Sequence, residues 1–146
     1  MRKNISIIVA IAVLITIVFF LFIYRRGEIG TTLSIVKDNS EMIIVASPIK
    51  DSKITSPLSF TGRARGSWFF EGSFPVILTD WDGKIIAEGH ASAQDDWMTS
   101  DFVKFIGNIE FDKPPYGEKG FLIFKKDNPS GLQGNDDSYE ISVLFK

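Results

Sequence analysis

The sequence predicts an all-β domain, a sandwich of about seven strands, preceded by one membrane-spanning helix. Three observations predict this fold class: an uncharged apolar run near the start, a hydrophobic period of two from residue 42 onward, and frequent turn-forming residues between the periodic segments. A period of two is typical of strands with one buried face. Turns at intervals of about 8–12 residues are typical of β-sandwiches.

The apolar run covers residues 5–24, carries no charge, and contains only Ser6 and Thr16 as polar residues. A helix of this length is roughly 30 Å long, which matches the hydrocarbon thickness of a bilayer. The alternative is a cleaved signal peptide. The run exceeds the usual apolar length of about 7–15 residues, and no small-residue cleavage site follows it. We therefore predict an uncleaved anchor whose first partner is the lipid bilayer.

Charges flanking the run predict its orientation. Arg2, Lys3 and the terminal amine precede it, whereas Arg25 and Arg26 follow it. The N-terminal side has the excess of one positive charge, which favours a cytoplasmic position. The predicted organisation is a cytoplasmic N-terminus (1–4), a helix (5–24), a polar stalk (25–41) and a β-domain (42–146). The protein is predicted to be a single-pass protein of the cytoplasmic membrane with the domain outside.

The strands follow from alternation between apolar and polar positions. In residues 58–65, for example, Leu58, Phe60 and Ala64 alternate with polar or charged neighbours. Asp82-Gly83 predicts a two-residue hairpin turn, and prolines and Asn-Pro or Ser-Gly pairs punctuate the later loops. The predicted strands are residues 42–46, 58–65, 74–79, 84–92, 103–111, 121–125 and 139–145. Seven short strands predict a two-sheet sandwich of immunoglobulin type, which does not require a disulfide.

Composition excludes several functions. The chain has 16 Lys and Arg, 18 Asp and Glu, one His and no Cys. Residues 27–146 hold 12 of the basic and all 18 of the acidic residues, a net charge of −6 that argues against nucleic acid as a partner. The absence of Cys excludes a disulfide framework, a thiolate zinc site and a Cys nucleophile. No motif predicts a cofactor.

Four segments in order resemble a known family. They are SPLSFTGRARG (56–66), WFFEGSFPVILTDWDGKIIAEGHASA (68–93), DWMTSDFVKF (96–105) and KDNPSGLQGNDDSYEISVLF (126–145). Together they are similar to the bacterial spore germination immunoglobulin-like domain. The resemblance implies an extracytoplasmic β-sandwich carried on bacterial envelope proteins, with no enzymatic activity and no catalytic residues. The chain shows an anchor and one copy of the domain, and a role in sporulation is not predicted.

Loop carboxylates are candidate metal ligands. Asp127, Asp136 and Asp137 lie in a turn-rich segment, and Ca²⁺ is bound by clustered oxygen ligands of this kind. The spacing matches no EF-hand loop. The alternative is that these side chains stabilise turns through their own hydrogen bonds.

Aromatic and basic residues are candidate binding groups. Trp68 and Phe69 form a run with Phe70, and this run either packs in the core or forms an exposed recognition patch. Adjacent residues of a strand face opposite sides, so the three aromatic side chains cannot all face inward. Arg63 and Arg65 lie on one face of a predicted strand, where they either hold an anionic ligand such as a wall polymer or face solvent.

Catalysis has no motif in its favour: no G-x-S-x-G elbow, glycine-rich phosphate loop or His–carboxylate constellation is present. The predicted function is a non-catalytic interaction module, anchored in the membrane, for a cell-envelope protein or cell-wall glycan. The alternative is a structural accessory subunit of a membrane complex, contacted through its transmembrane helix. The sequence identifies neither the ligand nor the oligomeric state.

Overall fold

The fold is taken from a computed structural model that describes residues 41–146. This part of the chain is all β, as predicted. Its strands are β1 (Ile43–Ser47), β2 (Ser52–Ile54), β3 (Leu58–Arg65), β4 (Ser73–Asp80), β5 (Ile85–Ala93), β6 (Phe102–Ile109), β7 (Lys119–Lys125) and β8 (Ser138–Phe145). Two 3-10 turns, Gly66–Trp68 and Gln133–Asn135, lie in the connections.

The predicted transmembrane helix and stalk lie outside the described residues. Within residues 41–146, no helix is long and apolar enough to span a membrane. The chain divides by its internal contacts after Lys37, and the second unit, Asp38–Lys146, contains every described residue. All the buried hydrophobic residues of the described part therefore belong to this one unit.

The strands follow one another in the hydrogen-bonded order β1-β3-β6-β5-β4-β7-β8-β2. Strand β5 pairs with β4 along most of its length but meets β6 only at Ser92 and Ala93. Ring contacts join strands that are not neighbours in this order: Phe60 lies 5.8 Å from Phe124, and Phe74 lies 5.1 Å from Phe105. The sheet therefore folds at the short β5–β6 pairing into two halves, and these halves pack face to face.

Alternation along the strands builds the core between these halves. In β3 the side chains of Leu58, Phe60 and Ala64 are buried, whereas Ser59 and Arg63 are exposed. Strand β4 buries Phe74, Val76 and Leu78 in the same way. The period of two thus separates an apolar inner face from an outer face in contact with water.

Strand β2 was not predicted. Its three residues pair in parallel with β8, with Ser52 opposite Val143 and Ile54 opposite Phe145. Three residues are too few to show a period, and only Ile54 among them is buried. Its partner β8 lies far away in the sequence, so the sequence pattern of residues 52–54 does not indicate the pairing.

The Asp82-Gly83 hairpin is confirmed, although its loop is longer than two residues. The Asp80 N–H donates to the Lys84 carbonyl at 3.0 Å, which leaves three residues between them, and Gly83 adopts a φ of +81°. This is the three-residue hairpin in which a glycine occupies the left-handed position. The Asp80 side chain completes the turn, since its Oδ1 accepts hydrogen bonds from the N–H groups of Asp82 and Lys84, each at 2.9 Å.

We expect Asp80→Ala to lower the free energy of unfolding by about 1–3 kcal/mol, because it leaves two N–H groups of the turn without their acceptor. Asp80 is only 2% exposed, so water cannot readily replace the carboxylate. Urea denaturation followed by circular dichroism measures the change. Asp82→Ala is the matched control, because Asp82 is exposed and its side chain holds no turn N–H. Equal losses for the two variants would contradict this role of Asp80.

Candidate binding surface

The aromatic run at residues 68–70 is mainly part of the core. Trp68 is fully buried and Phe69 is 4% exposed, and both contact Phe74, with ring centroids 6.4 and 5.1 Å away. Phe70 is 40% exposed, so one of the three aromatic side chains does face outward. An exposed recognition patch built on Trp68 and Phe69 does not agree with their burial.

The local backbone explains why two adjacent aromatic side chains point inward. Trp68 ends the 3-10 turn that follows β3, and Phe69 continues in an extended conformation. The strict alternation of a strand therefore does not apply at this position. The chain then reverses at a bridge between Phe70 and Ser73 and enters β4.

The candidate calcium ligands do not form a site. Within residues 41–146 no group of three or more His, Cys, Asp or Glu side chains is placed to hold a metal ion. Asp136 Oδ1 instead accepts a hydrogen bond from Asn128 Nδ2 at 2.7 Å, and Asp137 Oδ1 accepts one from the Ser138 N–H at 2.9 Å. In the described residues Asp127, Asp136 and Asp137 are thus not brought together as a metal-binding group, and at least two of these side chains form hydrogen bonds within the loop itself.

Arg63 and Arg65 lie on the same outer face of β3, and they share an aromatic neighbour. Their guanidinium carbons lie 5.4 and 4.2 Å from the centroid of the Phe102 ring. Arg65 also donates hydrogen bonds to the carbonyls of Glu41 and Ser100, each at 3.2 Å. Arg65 is thus held in place by loops on both sides, whereas Arg63 is exposed and contacts only the Phe102 ring among these groups.

Strand pairing adds residues that the sequence did not single out. Lys104 lies opposite Arg63, Phe102 opposite Arg65, and Ile106 opposite Thr61, all on the outer face of the same sheet. Ile44 of β1 flanks Arg63 on the other side. We call this surface the cationic face and define it by Ile44, Thr61, Arg63, Arg65, Phe102, Lys104 and Ile106.

The cationic face contains a shallow groove of about 530 Å³. Ile44 and Ile106 line it together with Arg63 and Lys104, and Ile106 is 48% exposed. An exposed apolar surface bordered by cations is unusual on a soluble domain and is typical of an interaction site. Each of these side chains is available from the solvent side of the sheet.

The charge of this face is opposite to that of the domain. Residues 41–146 hold 11 basic and 16 acidic residues. The outward positions of β3 and β6 include Arg63, Arg65 and Lys104 but no carboxylate. Among the described residues, none of these three cations forms an ion pair. Their positive charge is therefore available to an anionic partner.

A second groove, of about 330 Å³, lies beside the β4–β5 hairpin. It is lined by residues of both signs, including Asp80, Asp112, Lys84 and Lys113. Asp80 is already engaged in the turn, and Lys84 Nζ lies 3.4 Å from the Tyr116 hydroxyl. Because charges of both signs line this groove, it favours neither an anionic nor a cationic ligand.

Fold and surface together define an all-β domain with a cationic outer face. A family model, the immunoglobulin-like domain of bacterial spore germination, matches residues 42–132. The match covers more than half of the chain, and the chain belongs to this family. The comparisons with curated proteins and with solved structures found no match.

The family match ends before β8, although β8 is an integral strand of the sheet. It pairs with β7 along its whole length, from Ser138 opposite Lys125 to Leu144 opposite Lys119. Strand β2 pairs with its other side. The cationic face lies entirely within the matched residues, on the opposite half of the fold.

Proposed function

We propose that this protein is a membrane-anchored, extracytoplasmic and non-catalytic interaction module that binds a cell-envelope component, protein or glycan. The cationic face is the binding surface. The uncharged run at residues 5–24 supports the anchor, and the excess positive charge before it supports an outside domain. Membership of a family of immunoglobulin-like domains supports a binding role rather than catalysis.

One observation carries the proposal: Arg63 and Lys104, which have no ion-pair partner in the described part, border an apolar groove on a domain of opposite net charge, and Arg65 lies beside them on the same face. Cations of this kind attract an anionic partner and orient it, while burial of the apolar groove supplies affinity. Phe102 restrains the guanidinium groups of both arginines, so less side-chain freedom is lost on binding.

The anchor contributes by confinement. A domain tethered to the membrane meets any partner in the same layer at a high effective concentration. A modest affinity of the cationic face is then sufficient for occupancy. This division of roles predicts that the identity of the anchor is unimportant, provided that it spans the membrane.

We expect the double variant Arg63→Glu/Lys104→Glu to bind purified cell envelopes at least tenfold more weakly than the native chain, because the face changes sign. Co-sedimentation of the full chain in mild detergent measures the binding. The matched control is Lys53→Glu/Lys125→Glu, which changes the net charge equally at exposed positions of β2 and β7. Equal loss in both double variants would contradict the proposal, since it would reflect net charge alone.

A second control tests the alternative, in which the helix itself contacts a membrane complex. The segment 5–24 is exchanged for an unrelated transmembrane segment of equal length. Under the proposal, envelope binding and its dependence on Arg63 and Lys104 persist. Loss of binding after the exchange, with no effect of the charge reversal, would favour the structural accessory subunit instead.

A further inference from the structure

Strand β1 leaves an open edge beside the cationic face. It is the terminal strand of the sheet, and among residues 41–146 it pairs only with β3. Its sequence, Ile-Ile-Val-Ala-Ser, contains neither charge nor proline. Proteins usually protect such edges with charges, prolines or bulges, because an open edge is a template for another strand. Here the one irregularity is a register shift between Val45 and Ser47.

The register shows which backbone groups the edge offers. The Arg65 N–H donates to the Met42 carbonyl at 2.8 Å, so Met42 and Arg65 form a hydrogen-bonded pair. These pairs alternate along an antiparallel ladder, so Ile44 is also directed toward β3. Ile43 and Val45 therefore direct their N–H and C=O groups to the open side. Their side chains face the core, where Ile43 is 1% exposed.

A strand added at this edge would extend the rows of side chains that run across neighbouring strands on the outer face of the sheet. Ile44 lies opposite Arg63, and Arg63 lies opposite Lys104, so the three form one row across the sheet. A side chain opposite Ile44 on an added strand continues that row and projects into the cationic surface. Its neighbours along the added strand project to the other side, next to the margin of the core at Val45.

We propose, building on the proposed function, that the partner is a protein that contributes an extended acidic segment, which adds to β1 as a further strand. Alternate Asp or Glu side chains are directed toward the cationic face, where Arg63 is the nearest cation and Lys104 lies one strand further, and the apolar residues between them cover the core margin at Val45. This occupant fits both features at once. The edge offers main-chain donors and acceptors, and the face offers cations beside an apolar groove. Strand addition of this kind takes its affinity from the main chain and its specificity from alternate side chains.

The probe is a short synthetic peptide of alternating Val and Glu, carrying a fluorophore, and the control peptide has Lys in place of each Glu. Fluorescence polarisation against the full chain in detergent micelles measures the affinity. We expect the Glu peptide to bind at least about tenfold more tightly than the Lys peptide, and added salt to weaken only the Glu peptide.

Two matched variants test the edge itself. Val45→Pro removes an N–H that faces the open side, which edge strands tolerate, whereas Val45→Ala shortens the same side chain and keeps the N–H. We expect Val45→Pro to weaken the Glu peptide by about tenfold or more relative to Val45→Ala, since the blocked edge loses main-chain pairing. Circular dichroism melting curves of the two variants verify that both remain folded. If Val45→Pro does not fold, exchange protection of the Val45 amide in the native chain on adding the peptide replaces it.

The remaining outcomes separate the inference from the proposed function. The strand-addition inference fails, and the binding module stands, if envelope binding depends on Arg63 and Lys104 but the Glu peptide does not bind. It also fails if polyglycerol phosphate displaces the Glu peptide from Val45→Pro as well as it does from the native chain. If the chain self-associates through the Val45 edge, the occupant is a second copy. If removal of residues 1–37 strengthens peptide binding about tenfold, the occupant is the chain's own preceding segment. Either result overturns the inference.

Discussion

Replacing Trp68 by alanine is expected to lower the free energy of unfolding by about 3–5 kcal/mol, among the largest effects of any single substitution in this domain. Trp68 is fully buried and contacts Phe74 edge-on, with the ring planes 80° apart. Removing the indole leaves a large cavity between the two halves of the sheet. The core cannot close over it, because Phe74 is held in turn by Phe69 and Phe105. Urea denaturation followed by far-ultraviolet circular dichroism measures the change.

Two controls distinguish packing from recognition. Trp81→Ala removes a 58% exposed indole, and we expect a change within about 0.5 kcal/mol. Trp68→Phe keeps most of the apolar volume. It also removes the Trp68 Nε1–H, which is buried and has no hydrogen-bond partner among the described residues. This variant should therefore be folded and should bind envelopes like the native chain. A Trp68→Phe variant that folds but does not bind would restore Trp68 as a recognition residue.

The strands could be predicted from the sequence wherever burial on one face imposes a period of two. Strand β3 shows this most clearly, because Leu58, Phe60 and Ala64 are buried between exposed or half-buried neighbours. The Asp82-Gly83 turn was recognisable for a different reason, because the turn depends on the conformational preferences of adjacent residues. Strand β2 could not be predicted, since three residues show no period and the pairing with β8 depends on the completed fold.

The candidate surface could be predicted only in part, because alternation places a side chain on a face but does not give its neighbours. Arg63 and Arg65 were placed together by their spacing on one strand. Lys104 and Phe102 joined them only through the β3–β6 register, which links residues about 40 positions apart and is set by packing. Trp68 and Phe69 were ambiguous because a 3-10 turn interrupts the alternation at that point.

Gly66→Ala is the second substitution with a large expected effect, about 3 kcal/mol or more of lost stability. Gly66 is buried where β3 enters the 3-10 turn, and its N–H donates to the Asp101 carbonyl at 3.1 Å. A Cβ at this position would lie far inside van der Waals contact with the backbone carbonyl oxygens of Thr99 and Trp97. Backbone atoms cannot rotate away as a flexible side chain can, so the whole segment around Thr99 must move. Urea denaturation again measures the effect.

Gly134→Ala is the matched control, because nothing lies within 4 Å of a Cβ at Gly134 and that residue is exposed. The same displacement should reach the cationic face, since the Ser100 carbonyl that accepts a hydrogen bond from Arg65 belongs to the displaced segment. A folded Gly66→Ala population, obtained at low temperature, should therefore bind envelopes more weakly than Gly134→Ala. Equal stability of the two variants would mean that the segment around Thr99 is not packed on Gly66. Equal binding despite unequal stability would mean that the contacts of Arg65 with the loop do not support the binding surface.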